Sequence, residues 1–330
     1  MNSSEQLSLE SYNYYLPSDR IAQFPVTPRD ASRILFISRQ NQNFEDSIFR
    51  NLPEYLNPGD LLVMNDTKVI PARILCDPGE ILLVRELEQS CWDCLVYPGK
   101  HFKPGTIFKI TEVSAQVLSH SKNGRLIRFN GDVDALLNTH GKVPLPPYID
   151  REPTSEDRKR YQTVYARKPG SIAAPTAGMH FTRRLFADLK KRKIETCKIT
   201  LHVGPGTFRP VKNSNVTEHQ MDPEYYSCSA ATWQKIQKAS RVVSVGTTTT
   251  RALETIAVTK ELEGFSNLFI YPGYQFHIVQ GMVTNFHLPK SSLLMLVSAL
   301  AGYELIRAAY QHAVNNDYRF YSYGDATLIL

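Results

Sequence analysis

The sequence predicts an α/β fold, a mixed-sheet domain interrupted by an inserted small antiparallel β-barrel. Three observations carry that expectation. From about Tyr161 onward, strand-like and helix-like segments alternate, as in an α/β layer architecture. From about Pro71 to Asn130 the texture differs: short apolar and β-branched runs such as "EILLVREL", "TIFKIT", "AQVLSH" and "RLIRFN" follow one another between Gly, Pro, Asn or Lys turns, as in a small barrel or sandwich. That stretch exits through "GKVPLPPYIDREP", whose prolines forbid a continuous helix. The expected division is 1–66 with 151–330 for the α/β part and 67–150 for the barrel, and 330 residues is the length of about two domains.

Taken in order, residues 1 to about 66 mix short apolar segments with proline-rich turns and end in the strand-like "DLLVMNDTKVI". "SCWDCLVYPG" reads as a strand, although Cys91 and Cys94 have the C-x-x-C spacing of a zinc or redox site; no second pair exists, so the structural reading is favoured. "SIAAPTAGMHFT" (171–182) has neither helical nor strand periodicity, and its small residues leave backbone exposed to a close approach. "TRRLFADLKKRK" reads as an amphipathic helix with Thr182 as N-cap and a basic outer face that suits phosphate. "KITLHVG" and "RVVSVG" are strands, "WQKIQKAS" and "TTTTRALETIAV" helices, and "NLFIYPG" a further strand. "SSLLMLVSALAGYELIRAAYQHAV" reads as one long buried helix capped by Ser291 or Ser292, and "YRFYSYGDATLIL" as an aromatic C-terminal strand or a stacking surface.

Composition narrows the class. The hydrophobic content of 42% is that of an ordinary globular chain. No basic flank precedes an apolar run at the N-terminus, and "LLMLVSALAG" is about half of the roughly 20 residues that span a bilayer. Five cysteines do not resemble a disulfide framework. A cytoplasmic, non-membrane protein is expected. The formal charge of +6 hints at a polyanionic partner.

Three histidines stand out: His180 in the small-residue loop, and His202 in "KITLHVG" and His287 in "VTNFHLPKSS", each at the end of a predicted strand. Gly178, Gly204 and Gly206 would line the cleft, with Thr176 beside them. "VVSVGTTTTRALE" places a helix N-terminus and Arg251 where an anion or carboxylate would bind, with a well-capped structural helix as the alternative. "EHQMDPEYY" gathers Glu218, His219, Asp222 and Glu224, and its spacing matches no common metal motif. Asp325 follows Gly324 in the terminal segment.

Together these blocks resemble the S-adenosylmethionine:tRNA ribosyltransferase-isomerases of queuosine biosynthesis. The resemblance runs from "YLPSDRIAQFPVTPRDASRIL" and "NDTKVIPARI" through "PLPPYI", "RYQTVYA", "AAPTAGMHFT", "LHVGPGTF", "VGTTTTRALE" and "TNFHLPKSSLLMLVSALAG" to the C-terminus. It implies an α/β catalytic domain with an inserted barrel. The implied reaction moves and isomerises the ribosyl group of S-adenosylmethionine onto 7-aminomethyl-7-deazaguanine at the tRNA wobble position, giving epoxyqueuosine, adenine and methionine. S-adenosylmethionine is then a consumed substrate, with no cofactor and no metal, and the protein a monomer. His180, His202 and His287 are the catalytic candidates, His180 first; Thr176, Gly178, Gly204, Gly206, Glu224, Arg251 and Asp325 are the substrate-binding ones. The sequence departs from the family's H-x-M-H-x-E pattern at Asp222 and carries Lys290 where Arg is frequent. An RNA methyltransferase and a non-catalytic RNA-binding protein are the competing readings.

Overall fold

Asp60–Asn65 is buried at all six positions and runs parallel to a neighbour on each side, Glu195–Leu201 and Arg241–Val245. A strand covered on both faces needs an unbroken apolar run, which "LLVM" supplies. The computed structural model describes residues 5–122, 124–208 and 211–330. Around this strand lies a nine-stranded mixed sheet in the order Glu263–Ser266, Glu224–Ser227, Glu195–Leu201, Asp60–Asn65, Arg241–Val245, Gly281–Asn285, Ala326–Ile329, Arg33–Ser38, Asn43–Ile48. The four strands from Glu195–Leu201 to Gly281–Asn285 are parallel, so Leu201, Asn65, Val245 and Asn285 end on the same edge. In sheets of this type ligands bind beyond the carboxyl ends.

Arg73–Asn130 supplies a second, six-stranded sheet, every pairing antiparallel, which curls barrel-like around Ile81, Leu83, Val117, Ile127 and Phe129. The short runs predicted there are its strands, joined by Arg73–Cys76. Cys91 and Cys94 lie three apart on the strand Cys91–Tyr97, where alternation turns them to opposite faces. Thr67–Val69, just before this sheet, pairs in parallel with Lys168–Ser171 as a separate two-stranded ribbon.

Helix starts agree with the sequence: Thr182 accepts from the Leu185 amide at 3.1 Å and Ser291 from that of Leu294 at 3.2 Å. Three expectations need correction. The long C-terminal helix is two, Ser292–Ala301 and Tyr303–Asn315, bent by 118° at Gly302, whose φ of 93° only glycine tolerates easily. "NLFIYPG" is irregular, the strand being the preceding Glu263–Ser266. Its backbone groups are claimed by the helix Thr247–Thr259: Arg251 Nε donates to the Leu268 carbonyl at 2.9 Å. Glu254 of that helix accepts from the amides of His277, Ile278 and Val279 at 2.8–3.1 Å. At the C-terminus only Ala326–Ile329 is strand, and the aromatics before it form turns. The helix Val133–His140 was not anticipated. Among the described residues no single helix is long and apolar enough to cross a membrane.

Candidate active site

"NDT" ties the strand ends together. Asn65 Nδ2 donates to the Leu201 carbonyl at 2.9 Å, and its Oδ1 accepts from the amides of Leu201 and Thr67 at 3.0 and 3.1 Å. Asp66 accepts from the Thr200 hydroxyl at 2.7 Å and pairs with Arg167 at 3.1 Å. Thr67 is thereby held with its hydroxyl 2.8 Å from Nδ1 of His202, the first residue beyond Leu201. The His202 ring also stacks on Tyr225, with centroids 5.6 Å apart and planes at 22°.

Two depressions meet at these carboxyl ends. The larger, about 530 Å³, is a groove between the two sheets, with His202, Gly204 and Tyr225 on one wall and Arg85, Trp92 and Asp93 on the other. Small-molecule sites measure roughly 300–1,000 Å³. The smaller, about 60 Å³, is enclosed by Pro175 and Thr176 of the small-residue loop, Thr247 and Thr248 at a helix start, Asn285 and His287, and the rings of Tyr148 and Tyr321. Val203 lines both.

The three histidines are not brought into one cavity. His202 lies in the groove and keeps Nε2 without a hydrogen-bond partner among the described residues. Burial lowers its pKa; Asp66 opposes that shift and Lys168 adds to it. His287 lines the smaller cavity, with Nε2 3.1 Å from the Thr284 hydroxyl. His180 lies behind that cavity's wall, outside both linings: Nδ1 is 2.7 Å from Ser32 Oγ, Nε2 is 3.1 Å from Asn285 Nδ2, and the ring stacks on Phe49 at 4.8 Å.

Burial, helped at His180 by the charges of Arg29 and Arg319, lowers the pKa of His180 and of His287 to about 3. Both are therefore neutral imidazoles at neutral pH. On unfolding each regains a pKa near 6.5. Their contribution to stability is thus complete above about pH 6.5 and is lost as pH falls toward 3, at up to about 2.7 kcal/mol per pH unit for the two together. Urea unfolding measured between pH 7 and pH 5 is expected to show this loss, and His287→Phe to reduce its slope by up to about 1.4 kcal/mol per pH unit.

The remaining candidates divide. Thr176 lines the cavity and Gly204 and Glu224 the groove. Gly178 is a packing glycine, since a Cβ there would lie 2.0 Å from the Tyr165 hydroxyl oxygen. Gly206 packs on Asp222, its imagined Cβ 2.6 Å from Oδ2. Arg251 is 3% exposed and committed to protein partners: Nη1 to Glu224 Oε2 at 2.6 Å, Nε to Leu268 O, Nη2 to Ser266 O at 3.3 Å. Glu224 Oε1 accepts from the Gly204 amide at 2.9 Å, so the ion pair anchors the loop beside His202. Asp325 accepts from the amides of Arg33 and Arg319 at 2.9 and 2.8 Å and lines neither depression. Lys290 pairs with Glu10 at 2.6 Å.

Sequence reasoning missed Thr67, Tyr148, Gly170, Asn285 and Tyr321. Four of these sit inside or beside blocks already singled out, "NDTKVI", "PPYI", "TNFH" and "YRFYSYGD". Gly170 directly precedes "SIAAPTAGMHFT" and was passed over: a Cβ there would fall 2.9 Å from His202 Nε2, and its φ is 135°.

A mixed sheet with a ligand-sized groove beyond the carboxyl ends of its parallel strands, and a histidine set in that groove, is the arrangement in which α/β proteins place small-molecule sites. The sequence profile of the queuosine biosynthesis proteins matches residues 9–329, and the chain belongs to that family. The S-adenosylmethionine:tRNA ribosyltransferase-isomerase of Halothermothrix orenii is 46% identical to it over 98% of this chain and 100% of its own length. The Thermosynechococcus vestitus protein of the same name is 48% identical over 99% and 97%. The crystal structure of S-adenosylmethionine tRNA ribosyltransferase from Thermotoga maritima superposes with a TM-score of 0.57 at 39% identity, covering 97% of this chain and all of that one.

Proposed function

We propose that this protein is an S-adenosylmethionine:tRNA ribosyltransferase-isomerase acting in queuosine biosynthesis, and that its acceptor is 7-aminomethyl-7-deazaguanine at the tRNA wobble position. The observation that carries this reading is the end-to-end relationship to proteins of that name. S-adenosylmethionine is consumed as a ribosyl donor, without a resident cofactor. The protein works as a monomer in the cytoplasm, where its tRNA is.

The groove holds the sulfonium substrate in this reading. A sulfonium acidifies the adjacent C5′ protons and stabilises the carbanion left when one is removed, so the step needs a positioned base. His202 is that base. Its Nδ1 is held by Thr67, its plane by Tyr225, and Nε2 is left to take the proton. Adenine is then eliminated, the aminomethyl nitrogen attacks, and methionine departs. Residues 67–150 act as an inserted domain whose sheet forms the groove's far wall; the antiparallel bridge between Arg73 and Lys142, near the two ends of that segment, supports the reading.

The exposed basic face of Arg183–Lys191 is read as a tRNA phosphate contact. Arg183→Glu with Lys190→Glu is expected to raise KM for tRNA, to leave KM for S-adenosylmethionine unchanged, and to reduce the log–log salt slope by about 0.7–0.9 for each phosphate that is no longer neutralised. Steady-state kinetics at several salt concentrations check this.

S-adenosylmethionine labelled separately in the ribose and in the methyl group tests the assignment. Ribose label entering the modified tRNA while the methyl label stays in small molecules is the expected result. Methyl label in the tRNA would make the protein a methyltransferase, and tRNA binding with no label transferred would make it a binding protein.

A further inference from the structure

Asn285, 3% exposed, lines the small cavity and contacts His180 behind it. Its hydrogen bonds leave no freedom in how its amide is oriented. Nδ2 faces the carbonyls of Tyr321 at 3.1 Å and Asp325 at 3.5 Å, so turning the amide over would set oxygen against oxygen. Nδ2 also donates to His180 Nε2, which must therefore be unprotonated. His180 Nδ1 then carries the proton and donates to Ser32 Oγ, whose own hydrogen goes to the Arg29 carbonyl at 3.3 Å. Every donor in the chain Ser32–His180–Asn285 is used. One acceptor is left: Asn285 Oδ1, buried and without a partner among the described residues. Buried oxygens in this state are few in folded proteins.

Backbone strain marks the same place. Tyr321, a cavity-lining aromatic residue, has φ 74°, a conformation that side chains of its size rarely adopt. It is held there by its amide on Phe286 O at 3.1 Å and by its carbonyl, which accepts from Asn285 Nδ2 and from the Gly324 amide at 2.9 Å.

We infer that Asn285 Oδ1 is a specificity-determining acceptor that receives an N–H from substrate in the small cavity, and that His180 is a positioning residue that holds the Asn285 amide in the receiving orientation. This rests on the function proposed above. The shared chemistry is an amine N–H, and it has two sources: S-adenosylmethionine, through its adenine amine or its ammonium, or the aminomethyl group of the modified base.

Binding of S-adenosylmethionine, and of tRNA bearing either 7-aminomethyl-7-deazaguanine or guanine at the wobble position, to full-length variants decides between them. Asn285→Ala is expected to weaken one ligand about tenfold or more and to spare the other. Loss for S-adenosylmethionine places the donor there; loss of the preference for modified over unmodified tRNA places it on the base. His180→Phe, which keeps the stack on Phe49 but offers Asn285 no acceptor, is expected to reproduce the loss, and His180→Gln, which restores an acceptor, to recover most of it. Unchanged binding of both ligands by Asn285→Ala overturns the inference, as does equal binding by the two His180 variants, which decides the matter should Asn285→Ala not fold. A wild-type protein that binds neither ligand overturns the functional reading itself.

Discussion

His202→Ala is expected to lower kcat by about 10²- to 10⁴-fold, the usual contribution of a positioned base, with KM for S-adenosylmethionine little changed and the fold intact. The imidazole is half-buried in the groove wall, so its removal opens space toward a depression that already exists. Thr67 holds its Nδ1 and Tyr225 its plane, which makes the loss one of chemistry. The pH profile gives a second reading. Only the neutral ring accepts a proton, and burial and Lys168 hold its pKa below 6.5, so the acid limb of kcat should lie below pH 6.5. Lys168→Glu replaces a lowering charge by a raising one, and the limb should move to higher pH. Gly170→Ala should impair turnover as well, because its methyl group would meet His202 Nε2. Full activity in His202→Ala would remove the base from this groove.

Arg251→Met is expected to destabilise the protein by about 3–5 kcal/mol, because it leaves the Glu224 carboxylate buried without its cation. Glu224 is 5% exposed and among the described residues keeps only the Gly204 amide. Arg251→Lys should not rescue, since a single ammonium cannot reproduce bonds from Nε, Nη1 and Nη2 to three separate acceptors. Replacing both members, Arg251→Met with Glu224→Met, should recover much of the loss by removing the unpaired charge. Urea unfolding of the four proteins of the cycle measures the coupling. A loss under about 1 kcal/mol in Arg251→Met would show the pair to be no anchor.

Much of this architecture was legible because it rests on local rules. Six consecutive buried positions at Asp60–Asn65, the caps at Thr182 and Ser291, and the close-spaced strands of Arg73–Asn130 are each written in a few neighbouring residues. What was not legible depends on partners far along the chain. Gly302 sits inside an apolar run that reads as one helix, and the break becomes evident only from its φ. "NLFIYPG" has strand composition, yet Arg251 and Glu254 take backbone groups from the segment it begins.

The site shows the same division. Of the residues in the quoted blocks, His202 and Gly204 lie in the groove and His287 in the smaller cavity, while Gly178 and Gly206 pack against protein. Their division between two depressions was not visible. His180 drew attention because it follows a loop of small residues, and those residues do line a cavity; the ring itself turns the other way, onto Phe49 and Ser32. Arg251 looked like an anion ligand because a helix N-terminus and a cation suit one. Its acidic partner, Glu224, lies 27 residues earlier in the chain.

The most direct measurement is the set of small molecules released when the purified protein is incubated with S-adenosylmethionine and tRNA carrying 7-aminomethyl-7-deazaguanine, with unmodified tRNA as the control. Adenine and methionine in equal amounts, appearing only with the modified tRNA, are the predicted result. S-adenosylhomocysteine, or no release despite binding of both substrates, would contradict it.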